Sequence, residues 1–207
     1  MKTILFQGDS ITDCGRHREA DAYMGSSYAT MLAGDISLGY PGQYEFVNRG
    51  IGGNRSADLY ARIRPDIINL KPDILTILIG VNDTWAELAH NNGISVENYE
   101  NIYDMLIRDV KNALPQTKII ILEPFVLHGV DTDIYFDAFS EDVAKRQAVC
   151  RKLAEKHGLL FVPLQEMLRT FEEEHPGVKV VLDGVHPNFT GHRLIADALY
   201  DVLKPIL

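Results

Sequence analysis

Five short apolar runs separated by helical patterns constrain this chain more than any other feature of its sequence. Residues 3–7, 44–48, 74–79, 118–122 and 159–162 are dense in β-branched and large apolar side chains, too short for helices, and bounded by polar or glycine-rich segments. Runs that are nearly continuously apolar, rather than alternating, belong to strands buried on both faces. Strands of that kind alternating with helices predict an α/β fold, a three-layer α/β/α sandwich around a five-stranded, mainly parallel sheet. The expected strand order is the flavodoxin-like 2-1-3-4-5, which places the first strand between the second and the third.

The helical patterns fill the intervals. Tyr99, Ile102, Leu106, Val110 and Ala113 recur at three- and four-residue spacing behind a Ser95 cap. A second helix is predicted from a Ser140 cap to a Gly158 stop, with Val143, Cys150, Leu153 and Ala154 on its inner face. The last carries Leu194, Ile195, Ala198, Leu199, Val202 and Leu203 and is terminated by Pro205. Pro65 should break the segment after Ser56 into two short helices. Residues 84–94 and 126–139 read as loops longer than a connection needs, and such loops commonly wall a binding site. No repeat or linker divides the chain, so residues 1–207 are expected to form one domain.

Composition narrows the function classes. A chain of 207 residues that is 46% hydrophobic can bury a core without disulfides or a structural metal. Twenty Lys and Arg against 29 Asp and Glu give a net charge of −9, which disfavours nucleic acid and anionic lipid as partners. Cys14 and Cys150 lie far apart and outside any CxxC or Cys/His metal spacing, so both are expected as free thiols and no metal or cofactor is implied. The start MKTILF is too short for a secretory apolar region, and no run approaches the ~20 residues of a membrane span. A soluble, cytoplasmic protein is the expectation; the oligomeric state is left open.

In open parallel sheets, ligands bind beyond the carboxyl ends of the strands, and the polar clusters of this sequence fall there. Gly8-Asp9-Ser10 follows strand one, Gly50 to Asn54 strand two, and Gly80 to Asp83 strand three, while Asp183-Gly184-Val185-His186 precedes the last helix. Alone, Ser10 reads as a helix cap, the glycines as a tight turn and Asn82 as an Asx-turn residue. Together they supply what acyl transfer needs. A serine hydroxyl becomes a nucleophile when a base takes its proton, and the base needs a third group to hold its tautomer. His186 and Asp183 can serve those roles for Ser10, and the N–H groups of Ser10 and Gly53 with the Asn82 amide are candidate donors to an oxyanion. Asp9 is expected to brace the Ser10 turn through backbone hydrogen bonds, His192 to lie on a helix surface or behind the site, and Cys14 to be a small buried residue. A metal held by Asp183 and His186 with Asp9 or Asp13 lacks the paired Asp/His ligand motifs that such sites carry.

Four blocks in order, Gly8 to Asp13, Asn48 to Gly53, Gly80 to Asp83 and Asp183 to Pro187, resemble those of GDSL (SGNH) hydrolases along the whole chain. The resemblance implies Ser10 as nucleophile, Gly53 and Asn82 as oxyanion partners, His186 as base and Asp183 as its orienter. Residues 12–16, Asn82-Asp83 followed by Trp85, Pro124-Phe125, and His186-Pro187 with Gly191-His192 look more narrowly like bacterial xylan-acetyl esterases of that family. That likeness implies a small ester substrate, O-acetyl groups on a saccharide; the alternative is a lipolytic or thioester hydrolase working through the same residues. In the loops predicted to wall the site, Asn91-Asn92-Gly93 and Val130-Asp131-Thr132-Asp133 are mostly polar, and the notable apolar groups nearby are Trp85, Leu88, Tyr135 and Phe136. Trp85 suits either a core role or stacking on a sugar ring, and with Tyr135 it is the expected substrate contact.

Overall fold

The computed structural model describes residues 1–207. Strands β1 (Lys2–Gly8), β2 (Tyr44–Asn48), β3 (Ile74–Leu78), β4 (Lys118–Leu122) and β5 (Leu160–Val162) form one sheet in the order β2-β1-β3-β4-β5. Every pairing is parallel, and the carboxyl ends are level: Gly8 lies opposite Leu78, Leu78 opposite Leu122, and Leu122 opposite Val162.

Alternate strand residues feed two separate cores. Ile4, Phe6, Ile74, Leu78, Ile120 and Leu122 face one side, where α2 (Tyr28–Gly39), α8 (Gln165–Glu174) and α9 (Phe189–Leu203) cover them. Leu5, Leu75, Ile77, Ile119 and Ile121 face the other, beneath α3 (Ser56–Ala61), α4 (Ile63–Asp66) and α6 (Val96–Ala113). Helix α7 (Phe136–His157) spans the far edge and contributes Phe139 and Val143 to the first core and Val149, Cys150 and Leu153 to the second. Burial on both faces is why the strands read as near-continuous apolar runs, Thr76 in β3 and the exposed Glu45 of the edge strand β2 excepted. The short α1 (Ser10–Asp13) leaves β1 directly, and α5 (Val81–His90) follows β3.

Ser95 caps α6, with its Oγ accepting the N–H of Asn98, and Gly158 ends α7 in the left-handed conformation. Two helices do follow Ser56, but the break falls at Arg62. Pro65 sits inside the four-residue α4, where the first turn tolerates a missing N–H. Other expectations are corrected. Residues 84–94 are mainly helix, because α5 runs through His90 with Asn91 as its left-handed stop. The segment 126–139 is a loop only to Thr132; a 3₁₀ turn over Asp133–Tyr135 leads into α7 at Phe136. Ser140 is therefore interior to α7, and its hydroxyl donates to the carbonyl of Asp137 instead of capping. Periodicity singled out neither α2 nor α8. After Leu203 the chain adds a 3₁₀ turn that contains Pro205. No helix is long and apolar enough to cross a membrane.

Candidate active site

The turn from β1 into α1 presents Ser10. Asp9 caps α1, with Oδ1 accepting the N–H of Ile11 at 3.0 Å, so the bracing expected of Asp9 is what the turn uses. Asp9 is 1% exposed and its Oδ2 has no partner; burial pushes its carboxyl up to about 7, against the opposing effect of the Ile11 bond and of His186.

At the other end of the chain, residues 183–187 form a tight loop before α9. Asp183 Oδ1 accepts the N–H of Val185 at 2.8 Å and of His186 at 2.6 Å, which leaves Oδ2 to meet Nδ1 of His186 at 2.5 Å. His186 Nε2 in turn lies 2.7 Å from Ser10 Oγ. Burial opposes the Asp183 charge, but the bonds from the His186 side chain and the two backbone donors outweigh it and hold the carboxyl at about 2. The Asp183 hydrogen bond raises His186 above the usual imidazole value, more than burial lowers it. An ionised carboxylate on Nδ1 fixes the proton there and leaves Nε2 free to accept the serine hydroxyl. The three residues chosen from the sequence thus meet in one hydrogen-bonded chain.

The loop after β2 comes alongside. A Cβ on Gly52 would lie 3.8 Å from that of Ser10, and the Gly52 N–H donates to Asp13 Oδ2 at 2.9 Å. Gly53 and Asn82 line a cavity of about 240 Å³ with Trp85, Ala86, Ala89 and His90. Asn82 directs Nδ2 to the carbonyl of Asn54 at 3.2 Å, which fixes the amide with its nitrogen toward the glycine loop and leaves its second hydrogen uncommitted. Arg62 braces the same loop by donating to Asn54 Oδ1, to the carbonyl of Arg49 and to the carbonyl of Gly8.

Trp85 and Tyr135 occupy the wall over the histidine. The indole Nε1–H donates to the Tyr135 hydroxyl at 2.7 Å, and the Trp85 ring lies 6.1 Å from both His186 and Phe139. Trp85 is half-buried and packs against the first core, as the core alternative expects. Of the two places expected for it, His192 takes the one behind the site and not the one on the helix surface. It is 3% exposed, accepts the N–H of Tyr28 on Nδ1 and is pushed down to about 4 by burial and then by His186. Cys14 is half-buried, not buried; it and Cys150 are free.

Three supports escaped the sequence. The loop 127–132 is fastened to the Asp183 loop by bonds from Leu127 N–H to Gly184 O and from Asp131 N–H to Asp183 O. Gly184, at φ 98°, packs so closely that a Cβ there would fall 2.0 Å from Thr132 Oγ1. Asp83, fully buried, binds Ser56. Of these, Gly184 and Asp83 lay inside sequence motifs, whereas nothing in the sequence pointed to the bonds of the loop 127–132.

Residues 6–194 match the GDSL-like Lipase/Acylhydrolase family. An acetylxylan esterase from Geobacillus stearothermophilus is 33% identical over 209 residues, which cover 94% of this chain and 90% of that protein. Its crystal structure, as Axe2, superposes with a TM-score of 0.85 at 30% identity, over 98% of this chain and 94% of that one. Catalytic mutants of Axe2 with a serine or an aspartate replaced by alanine have the same fold. A GDSL-like protein from Parabacteroides merdae superposes with a TM-score of 0.93 at 36% identity, over 98% and 95% of the two chains. The chain belongs to the GDSL-like lipase/acylhydrolase family and is a carboxylic ester hydrolase.

Proposed function

We propose that the enzyme hydrolyses short acyl esters, O-acetyl groups on a saccharide, through an acyl-enzyme on Ser10. The observation that carries the mechanism is the unbroken chain from Ser10 Oγ through His186 to Asp183, at 2.7 and 2.5 Å. Ser10 Oγ attacks the ester carbonyl carbon while its proton passes to His186 Nε2, and the carbonyl oxygen becomes an oxyanion met by the N–H groups of Ser10 and Gly53 and by the Asn82 amide. Collapse breaks the bond to the leaving alcohol, which receives the proton from Nε2. Water, deprotonated by the same nitrogen, then attacks the acyl-enzyme; the acid leaves and Ser10 regains its proton.

The substrate reading draws on the acetylxylan esterase relative and on the cavity beside Gly53 and Asn82. At about 240 Å³, with two alanines, a tryptophan face and His90 around it, that cavity suits a small acyl group or one sugar ring better than an alkyl tail. A lipolytic or thioester reading with the same residues is favoured by one feature, the exposed Val130 and Leu182 beside Asp183. Hydrolysis of 4-nitrophenyl esters from acetate to octanoate, together with acetate release from acetylated xylo-oligosaccharides, separates the two. The saccharide reading expects kcat/KM to peak at acetate and the oligosaccharides to be deacetylated. A steady climb to octanoate with acetylated sugars untouched would overturn it in favour of lipolysis, because a long groove gains up to about 0.8 kcal/mol per buried methylene.

A further inference from the structure

Gly53 and Asn82 stand on different elements, the loop after β2 and helix α5, so an oxyanion hole built from both depends on how those elements are registered. One buried side chain bridges the two elements. Asp83 directly follows Asn82, and Ser56 lies three residues after Gly53 at the start of α3. The Asp83 carboxylate, 0% exposed, accepts the Ser56 hydroxyl at 2.5 Å and the Ser56 backbone N–H at 3.1 Å to each oxygen. The bond from Asn82 to the Asn54 carbonyl joins the same two segments one step nearer the candidate oxyanion donors.

Asp83 forms no direct ion pair, which makes its burial costly for a mere splice between loop and helix. Burial raises its carboxyl to about 6 against the Ser56 bonds and the fields of Arg146 and Arg55, so at neutral pH it is the ionised acceptor. Arg146 is itself 1% exposed, with Nε and Nη1 unpartnered, and is held by the Ile94 carbonyl, Asp142 and the Tyr99 ring. The chemistry of ester hydrolysis as derived above gives neither residue a task.

We propose that Asp83 is a positioning residue: through Ser56 it sets the separation of the Gly53 N–H from the Asn82 amide, and so how firmly the site holds the oxyanion. The proposal rests on Ser10 being the nucleophile. Its test measures kcat and KM with 4-nitrophenyl acetate beside the inhibition constant of phenylboronic acid, which forms a tetrahedral anionic adduct on an active serine. Losing one oxyanion donor outright costs ~10²–10³ in kcat, so a misplaced pair in Asp83→Asn should cost about 10- to 100-fold, with KM within about threefold. Boronate affinity should fall in parallel with kcat/KM, while the acid limb of the pH profile, which belongs to His186, stays in place. Ser56→Ala removes a single hydroxyl and should lose about three- to tenfold with the same parallel, and in the Asp83→Asn background it should add less than about twofold. It carries the test alone if Asp83→Asn fails to fold. Turnover within twofold of wild type in either variant, or a kcat loss with boronate affinity unchanged, would overturn the proposal. A wild-type enzyme that ignores the boronate and survives Ser10→Ala would instead overturn the nucleophile assignment, and this inference with it.

Discussion

Replacing Asp183 with Asn changes one atom and tests the orientation of the imidazole at nearly constant shape. Oδ1 of Asp183 receives two backbone N–H groups, so the Asn oxygen must stay there; an NH₂ in that place would face two donors. The NH₂ then falls where Oδ2 now meets Nδ1 of His186, and it donates to that nitrogen. Nδ1 is forced to be the acceptor and the ring proton moves to Nε2, the atom 2.7 Å from Ser10 Oγ that must take the hydroxyl proton. The wrong tautomer costs about 10⁴ in kcat in enzymes of this arrangement, or ~5.4 kcal/mol at 1.36 kcal/mol per tenfold. Here the side chains of His186 and Asp183 are 42% and 24% exposed, and water at the ring edge eases the penalty. We therefore expect a loss of about 10³–10⁴. Because the Asp183 bond is the largest influence raising His186, the acid limb of the residual activity should also move to lower pH. The assay is kcat/KM for 4-nitrophenyl acetate between pH 5 and pH 9, with circular dichroism to verify the fold. Activity within tenfold of wild type, or a limb that does not move, would refute the tautomer argument.

Ser10→Ala removes one oxygen from a half-exposed turn and should abolish turnover and fluorophosphonate labelling while leaving the melting temperature within a degree or two; residual esterase activity would end the assignment. Asn82→Ala should lower kcat by ~10²–10³ with a smaller change in KM, since the amide meets charge that develops in the transition state; an effect on KM alone places Asn82 elsewhere. In the wild type, kcat/KM should fall as pH drops through a value above the ordinary ~6.5 of imidazole, because Asp183 raises His186; a limb below it would contradict the pairing. Asp9 has a folded value of about 7 against 3.8, so its contribution to stability is full below about pH 4 and is lost as pH rises toward 7. Asp9→Asn stays neutral and keeps an acceptor for Ile11, so its melting temperature should fall less than that of wild type between pH 4.5 and pH 8. Parallel curves would remove Asp9 from the account.

The strands were legible because burial on both faces keeps their runs largely apolar, with only Thr76 inside β3 and Glu45 inside the edge strand β2 interrupting them, and the four polar clusters because each is short and contiguous. The inner face of α6 was legible for a similar reason: Tyr99, Leu106 and Val110 are buried at regular spacing while the opposite face is charged. Residues 84–90 were misread as loop because most of that turn of helix meets solvent, from Glu87 to His90, and carries no apolar stripe. The start of α7 was misplaced because Ser140 has the chemistry of a cap, whereas the helix begins four residues earlier behind a 3₁₀ turn with no side-chain cap. At the site, Ser10, Asp183 and His186 could be paired by chemistry alone. The links from Asp83 to Ser56 and from Leu127 to Gly184 join distant segments through spacing no motif encodes, and only folding the chain brings them together.

The hydrogen bond between Ser10 and His186 closes a span of 176 residues. One partner grows from β1, an inner strand of the sheet with neighbours on both sides. The other hangs on a loop at the surface that is tied by backbone bonds to the loop 127–132 and leads into α9, whose Ile195, Ala196, Leu199 and Leu203 are buried against the sheet. Inactivation is therefore expected to precede melting in this enzyme. Parting of the Asp183 loop from the loop 127–132 withdraws the base from a nucleophile that is still in place, so catalysis should fail on warming while the central strands keep their protection against hydrogen exchange.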